Sequence, residues 1–390
     1  MPTLSDEALS RLRGIRRDIH AHPELAFAEV RTAALVAGRL RDLGLEVTEG
    51  IGGTGVVGVV RGRAGGPVIG LRADMDALPI VEAGDRPYRS TVEGVMHACG
   101  HDGHVTMLLG AAELLAAGPA LDGTVVLVFQ PAEEGAAGAP AMIDDGVLER
   151  FGIQEIYGIH NIPGIAEGHF GVRPGVQLAS FDDLDITVSA AGAHAMAPHA
   201  TGDVIVAGSA LVTALQTIVS RRLDPLVPAV VSITQFTAGE TNNVLPTTAR
   251  LRGTARCLSA QARDRIEELV TGMCASVAAA HGVTIDLRYE RRYPCTVNDP
   301  DCAARAARVA AEVAGASRVD PRTPGILAAE DFSFFLERIP GAYAFLGNGP
   351  ITPDRGPVHN DSYDFNDDII GVGAEYLAAV AVAAIADRHL

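Results

Sequence analysis

The hydrophobic period of this chain changes at about Asp182 and changes back near Tyr293, and that double switch limits the folds open to it. Before it, helix and strand patterns alternate. Leu4–His20 and Glu29–Leu43 carry apolar residues at helical spacing, the second stopped by Gly44. Gly55–Val60 and Val68–Ala73 are short apolar runs between Gly and Pro, as buried strands are. Val105–Ala117 is helical, Thr124–Gln130 (TVVLVFQ) is a central-strand pattern ended by Pro131, and Ile156–His160 is another strand. Such alternation predicts a mostly parallel or mixed sheet with helices on both faces. After the switch the order is strand (Asp183–Ala191), helix (Asp203–Arg221), two strands (Ala229–Phe236, Ala249–Cys257), helix (from Ser259 as N-cap to Ala280) and strand (Val283–Tyr289). That is the ferredoxin-like order. Tyr293–Asp299 reads as a return linker, and the rest resumes the first pattern and ends in a helix over Asp367–His389. At 390 residues the chain is long for one core. The expected architecture is an α/β domain (1–181 and 294–390) interrupted by a smaller ferredoxin-like α+β domain (182–293).

Composition removes several classes of function. A net charge of -17 without a basic stripe argues against nucleic acid or an anionic membrane as partner. All 31 basic residues are arginine, which rules out a Schiff-base lysine, a phosphate-loop lysine and a carboxylated lysine bridging two metals. The N-terminus reads as an amphipathic helix rather than a signal peptide. The longest apolar run, Tyr376–Ala386, is short for a bilayer span. A cytoplasmic protein is expected. The 5 cysteines have no framework spacing, and Cys257, Cys274, Cys295 and Cys302 read as small buried hydrophobes.

Chemistry concentrates elsewhere. Met96-His97-Ala98-Cys99-Gly100-His101-Asp102-Gly103-His104 gathers three of the 12 histidines, a cysteine and an aspartate, a density typical of metal sites. Further candidates follow strands, where open α/β sheets place their sites. Glu133-Glu134 come just after TVVLVFQ, His160 closes EIYGIH, and His359 lies in the loop Gly356–Asn360. Adjacent glutamates beyond a strand end point in different directions. One can bind metal while the other serves as general base for an attacking water and then as acid for a leaving amine. With Cys99, His101, His160 and His359 they supply more ligands than one open catalytic metal takes, which favours two metals. Mixed N, O and S donors suit Zn, Mn, Co or Ni alike.

The remaining polar residues have supporting readings. His97 and His104 would orient ligands or cap the helix starting near Gly103, and His20 and His22 are structural. Asp74 and Asp76 in LRADMDALP stand at a strand end, suited to hold a ligand in place. His281 and His389 read as surface residues. A Cys99–His101 nucleophile pair would leave Glu133, Glu134, His160 and His359 unemployed.

Taken together, RRDIHAHPELAF, LRADMDALPI, MHACGHDGH, FQPAEEGAAGA, GIHN, GAHAMAPH, TNNVLP, LRGTAR, AEDFSFFL and VHNDSYDFND make the chain resemble, nearly end to end, the hippurate hydrolase and N-acyl-amino-acid amidohydrolase family, aminoacylase-like relatives of dinuclear metallopeptidases. The resemblance implies a mixed-sheet metallopeptidase-like catalytic domain with a lid domain. It implies two divalent metal ions held by Cys99, His101, Glu134, His160 and His359, with Glu133 as general base and Asp76 behind the ligands. It further implies an acyl-amino acid as small-molecule substrate, His194 and Asn243 as substrate contacts, and a homodimer or homotetramer formed through the lid, His194 reaching a partner's site in related enzymes. Two departures stand out: Ala193 where the family usually has glycine, and Ser180-Phe181-Asp182-Asp183 in place of the commoner hinge. The neighbouring readings are a dipeptidase or carboxypeptidase of the same chemistry, and, outside catalysis, a metal-binding protein on this fold, against which an intact Glu133 argues.

Overall fold

The computed structural model describes residues 3–388, so His389 lies outside the described residues. The chain divides into two compact units: one comprises residues up to Gly175, Val297–Pro324 and Asp331 onward, the other Val176–Thr296 and Gly325–Glu330.

The first unit is built on an eight-stranded mixed sheet in the order Glu46–Ile51, Gly55–Arg61, Thr124–Gln130, Val68–Asp74, Glu155–Ile162, Gly341–Gly347, Phe170–Gly171, Val319–Asp320. Val68–Asp74 pairs in parallel with Thr124–Gln130 and with Glu155–Ile162, and Gly341–Gly347 pairs in parallel with Glu155–Ile162. Their near-continuous apolar runs follow from burial on both faces. One face carries the large core, in which Leu12, Val36, Leu108, Val309 and Leu377 come from five helices: Asp6–Ala21, Val30–Asp42, His101–Ala117, Pro300–Ala314 and Ile370–Asp387. On the other, Gly138–Asp144 packs on Thr124–Gln130 and on Ser333–Leu336. The C-terminal helical stretch, Asp367–Asp387, is at 21 residues longer than the apolar run suggests. It is long and apolar enough to cross a membrane, as is Val204–Arg222. Its apolar side is spent instead on His101–Ala117 and Pro300–Ala314, with Tyr376, Leu377, Val380 and Ala384 buried.

The end of that helix is fastened by an ionic cluster below the sheet. Glu155, 1% exposed, accepts hydrogen bonds from Tyr157, from Cys302 Sγ at 2.9 Å, from Arg388 Nε at 2.7 Å and from Arg305. Burial opposes the charged carboxylate, but the hydrogen bonds from Cys302, Tyr157 and Arg388 and the charge of Arg305 outweigh it and hold Glu155 below the usual glutamate range. A depressed folded pKa stabilises the fold above the unfolded value of about 4.3, and that contribution disappears as pH falls through the folded value. Glu155→Gln is therefore expected to cost about 3 kcal/mol at pH 7. The gap between its denaturation midpoint and the wild type's should narrow as pH falls below about 4.3 and close as it passes the folded value. Parallel denaturant titrations from pH 7 downward check this.

The second unit carries a four-stranded antiparallel sheet in the order Ala229–Ala238, Thr248–Cys257, Ser180–Ser189, Thr284–Tyr293. With helices Val204–Thr217 and Ala260–His281 this is the ferredoxin-like arrangement. Ser189 back to Ser180 alternates strictly between buried and half-buried, placing Leu184, Ile186 and Val188 against both helices. Ser259 caps Ala260–His281, its side chain accepting from the Ala262 amide, and His281 is half-buried at the other end. All four cysteines outside the metal-type motif are buried and free.

Candidate metal centre

Three parallel central strands end side by side at Asp74, Gln130 and Ile162, and the ligand-type residues gather just beyond or at those ends. Gly100, at φ +95, reverses the chain between Cys99 and His101 and opens the helix His101–Ala117. Only glycine fits, because a Cβ there would lie 2.1 Å from Asn161 Oδ1 and 2.3 Å from the Tyr363 hydroxyl. The helix thus starts two residues before the expected Gly103. His160 sits inside Glu155–Ile162 rather than closing it. His359 adopts φ 63, and its amide donates to Ala98 O at 2.7 Å, tying its loop to the segment before Cys99.

These residues converge. Cys99 Sγ lies 3.3 Å from His160 Nε2, and His359 Nε2 lies 3.1 Å from Glu134 Oε1, which is 4.0 Å from His101 Nε2. Cys99, His101 and His160 form one group with ligand atoms within 4.8 Å of one another, and Cys99, Glu134 and His359 form a second. Cys99 belongs to both. A third group of the same compactness joins His101, Glu133 and Glu134.

The supporting hydrogen bonds separate ligand-type atoms from props. His101 Nδ1 faces Asp76 O at 2.9 Å and Asp76 Oδ1 at 3.2 Å, which turns Nε2 toward the cluster. Asp76 also accepts the amides of Glu133 (3.0 Å) and Glu134 (2.9 Å), so one carboxylate sets both glutamates and a histidine. His104 is spent at both nitrogens, on Asp74 Oδ1 at 2.6 Å and Asn161 Oδ1 at 2.8 Å, and is a prop. His97 is buried with neither nitrogen hydrogen-bonded, and burial pushes its pKa down to about 4. His20 is fully buried between Asp102 and Glu82. Burial opposes its charge, but those two carboxylates raise its pKa to about 9. His22 Nδ1 bonds to Asp18 O.

His101 Nε2 is buried without a hydrogen bond, a costly state for a polar atom, and Glu134 Oε1, 4.0 Å away, is buried with only the ion-pair contact to His359. Four carboxylates, Asp74, Asp76, Glu133 and Glu134, crowd the same space. Burial works against a charged His101, yet Asp74, Asp76 and Glu134 lift its pKa to about 10. Burial and the charges of Glu134, Glu133 and Asp74 push the Cys99 thiol well up, while burial and neighbouring His104 keep His160 neutral. The field calls for positive charge, and the atoms left without hydrogen bonds, His101 Nε2 and Glu134 Oε1, are ligand-type N and O atoms 4.0 Å apart. Both observations fit divalent cations.

His194 and Asn243 lie together in the second unit. Ala193–His194 pairs with Val244–Leu245, and the Ala195 amide donates to Asn243 O at 2.9 Å. The exposed His194 accepts the Met196 amide at Nδ1, leaving Nε2–H outward as a donor. Ala193 is tolerated because the left-handed turn falls on Gly192, at φ +70.

Several residues at the site carry no signal of their own in the sequence. Glu29, fully buried, accepts the Ala132 amide at 2.9 Å, and Ala132 itself sits at φ 56. Asn161 bridges His104 and Tyr363. Arg72, Gln130 and Asp331 form a buried network behind Glu133. An arginine inside the apolar strand VIGLRAD was the one available signal, since a buried guanidinium requires acidic partners.

The model of peptidase family M20/M25/M40 matches residues 70–383. The chain is 43% identical over 368 residues to a hippurate hydrolase of Campylobacter jejuni, covering 94% of this chain and 95% of that one. It is 39% identical over 378 residues to thermostable carboxypeptidase 2 of Saccharolobus solfataricus, covering 94% of each. A solved structure of a Bacillus subtilis dinuclear metal binding peptidase from the M20 family superposes with a TM-score of 0.86 at 34% identity, covering 98% of this chain and 99% of that one.

Proposed function

The chain belongs to peptidase family M20/M25/M40, and on that premise we propose that it is a metallo-amidohydrolase that splits N-acyl-amino acids into a carboxylic acid and a free amino acid. One observation carries this reading. Two adjacent glutamates are fixed by a single carboxylate, Asp76, with Glu134 turned to His101 and His359 and Glu133 buried beside them.

Cys99, His101, Glu134, His160 and His359 would hold two divalent cations, of zinc, manganese, cobalt or nickel. Such a pair polarises an amide carbonyl and acidifies a water. Glu133 takes a proton from the attacking water as its oxygen bonds to the carbonyl carbon, keeps it on a carboxylate oxygen, and delivers it to the amine nitrogen as the C–N bond breaks. Asp76 keeps His101 presenting Nε2 and keeps the two glutamates apart in direction. His194 Nε2–H and the Asn243 side chain are donors suited to a substrate carbonyl or carboxylate. Pairing of copies through the second unit belongs to the same reading, supported by exposed Ile205 and Val206 on one of its helices and Phe236 on its edge strand. Five unpaired cysteines support a cytoplasmic setting.

A panel of hippurate, N-acetyl-amino acids and free dipeptides tests the reading. The acyl-amino acids are expected to give at least about tenfold higher kcat/KM, roughly 1.4 kcal/mol of selectivity. Preference for dipeptides would replace it with the peptidase reading, which the likeness to a carboxypeptidase favours.

A further inference from the structure

The segment that carries Glu133 and Glu134 is an improbable piece of backbone. Ala132 and Ala137 both sit in the left-handed region, at φ 56 and 59, where alanine is strained. The loop closes on itself through Gly138 N–H to Ala132 O at 3.0 Å and Gly135 N–H to Glu133 O at 2.7 Å. It is so tight that a Cβ at Gly138 would lie 1.8 Å from Pro131 O. Something outside must hold such a loop.

One fully buried side chain holds both of its ends. Asp331 accepts Gln130 Nε2 at 2.8 Å on Oδ1 and at 2.9 Å on Oδ2, and accepts the Ala139 amide at 2.9 Å on Oδ2. Gln130 precedes the loop and Ala139 follows it. Arg72 fixes Asp331 in turn, donating to its Oδ1 at 3.0 Å while also reaching Gln130 Oε1 at 2.8 Å and Asp74 Oδ2 at 2.6 Å. Asp331 then returns to the chemistry through its own backbone, its N–H facing Glu133 Oε1 at 3.4 Å.

Resting on the amidohydrolase reading, we propose that Asp331 is a positioning residue for Glu133, clamping the 130–139 loop at both ends and presenting an amide to the carboxylate that moves the proton. Proton transfer demands a carboxylate within hydrogen-bond reach of both water and leaving nitrogen, and a misplacement of about 1 Å costs about a hundredfold. A slack loop loses that placement without losing the substrate.

The test compares wild type, Asp331→Asn and Gln130→Met as purified, metal-loaded proteins. The second variant leaves Asp331 in place and cuts its link to one end of the loop. Expected are a kcat at least about tenfold lower in both, KM within about threefold of wild type, and unchanged cation content by elemental analysis. Hydrogen exchange of the peptide spanning 130–139 is expected to quicken in both variants. Unchanged kcat, a fall matched by lost cations, or an equal change carried by KM overturns the proposal. So does unchanged exchange in the variant that folds. A wild type that hydrolyses no acyl-amino acid, with exchange still quickened in the variants, would instead count against the amidohydrolase reading and leave the clamp standing.

Discussion

Glu133→Gln is expected to bind the same two cations as wild type and to lose about three orders of magnitude in kcat, roughly 4 kcal/mol of transition-state stabilisation. The substitution is nearly isosteric at a side chain only 6% exposed, and the Glu133 amide that donates to Asp76 is untouched, so the fold and the placement of Glu134 are retained. What disappears is the carboxylate assigned to carry a proton from water to amine. Because the loss falls on the chemical step, KM should stay near the wild-type value. Stopped assays on acyl-amino acids with parallel elemental analysis would show it. Full turnover in this variant would remove Glu133 from the proton path.

Cys99→Ala is expected to strip the site more deeply. Its Sγ belongs to two of the compact ligand groups, one with His101 and His160 and one with Glu134 and His359, so removing it weakens both at once. Bound cation should fall from two per chain to one or fewer, with kcat reduced at least about a hundredfold for want of carbonyl polarisation. The change deletes one sulfur from a buried position and leaves the Gly100 turn and the hydrogen bond from His359 N to Ala98 O in place, so thermal stability without added metal should shift little. Elemental analysis after gel filtration reads the outcome. An unchanged stoichiometry would take Cys99 out of the site.

The fold is legible in the sequence wherever one period dominates. TVVLVFQ is a strand over the full Thr124–Gln130 because burial on both faces leaves no other reading, and Ser259 marks the start of its helix by the chemistry of an N-cap. Boundaries blur where tertiary contacts decide. The helix expected to start near Gly103 begins at His101 because Gly100 can take φ +95 and pack against Asn161 and Tyr363, which no local pattern reveals. At the site, Cys99, His101, His160 and His359 are legible because cysteine and histidine clustered at strand ends have few bland explanations. Asp76 is legible as a prop from its place after a strand, though not that it would hold His101 and both glutamate amides. Glu29 and Asp331 are not legible: each is an ordinary acidic residue in sequence, and its role exists only through partners about 100 and about 200 positions away, Ala132 and Gln130. A residue that binds a backbone amide, as Glu29 does at Ala132 and Asp331 at Ala139, leaves no trace in the identity of that partner.

Metal removal and return tests the central claim most directly. The purified protein would be stripped with a chelator, freed of it, and titrated with zinc, manganese, cobalt or nickel while hydrolysis of hippurate and N-acetyl-amino acids is followed. The expected result is loss of at least about 99% of the activity on stripping, as befits a reaction that relies on metal for both carbonyl polarisation and nucleophile. Recovery should end at two equivalents of cation per chain. Hydrolysis that survives complete stripping, or full activity reached at a single equivalent, would contradict the two-cation account.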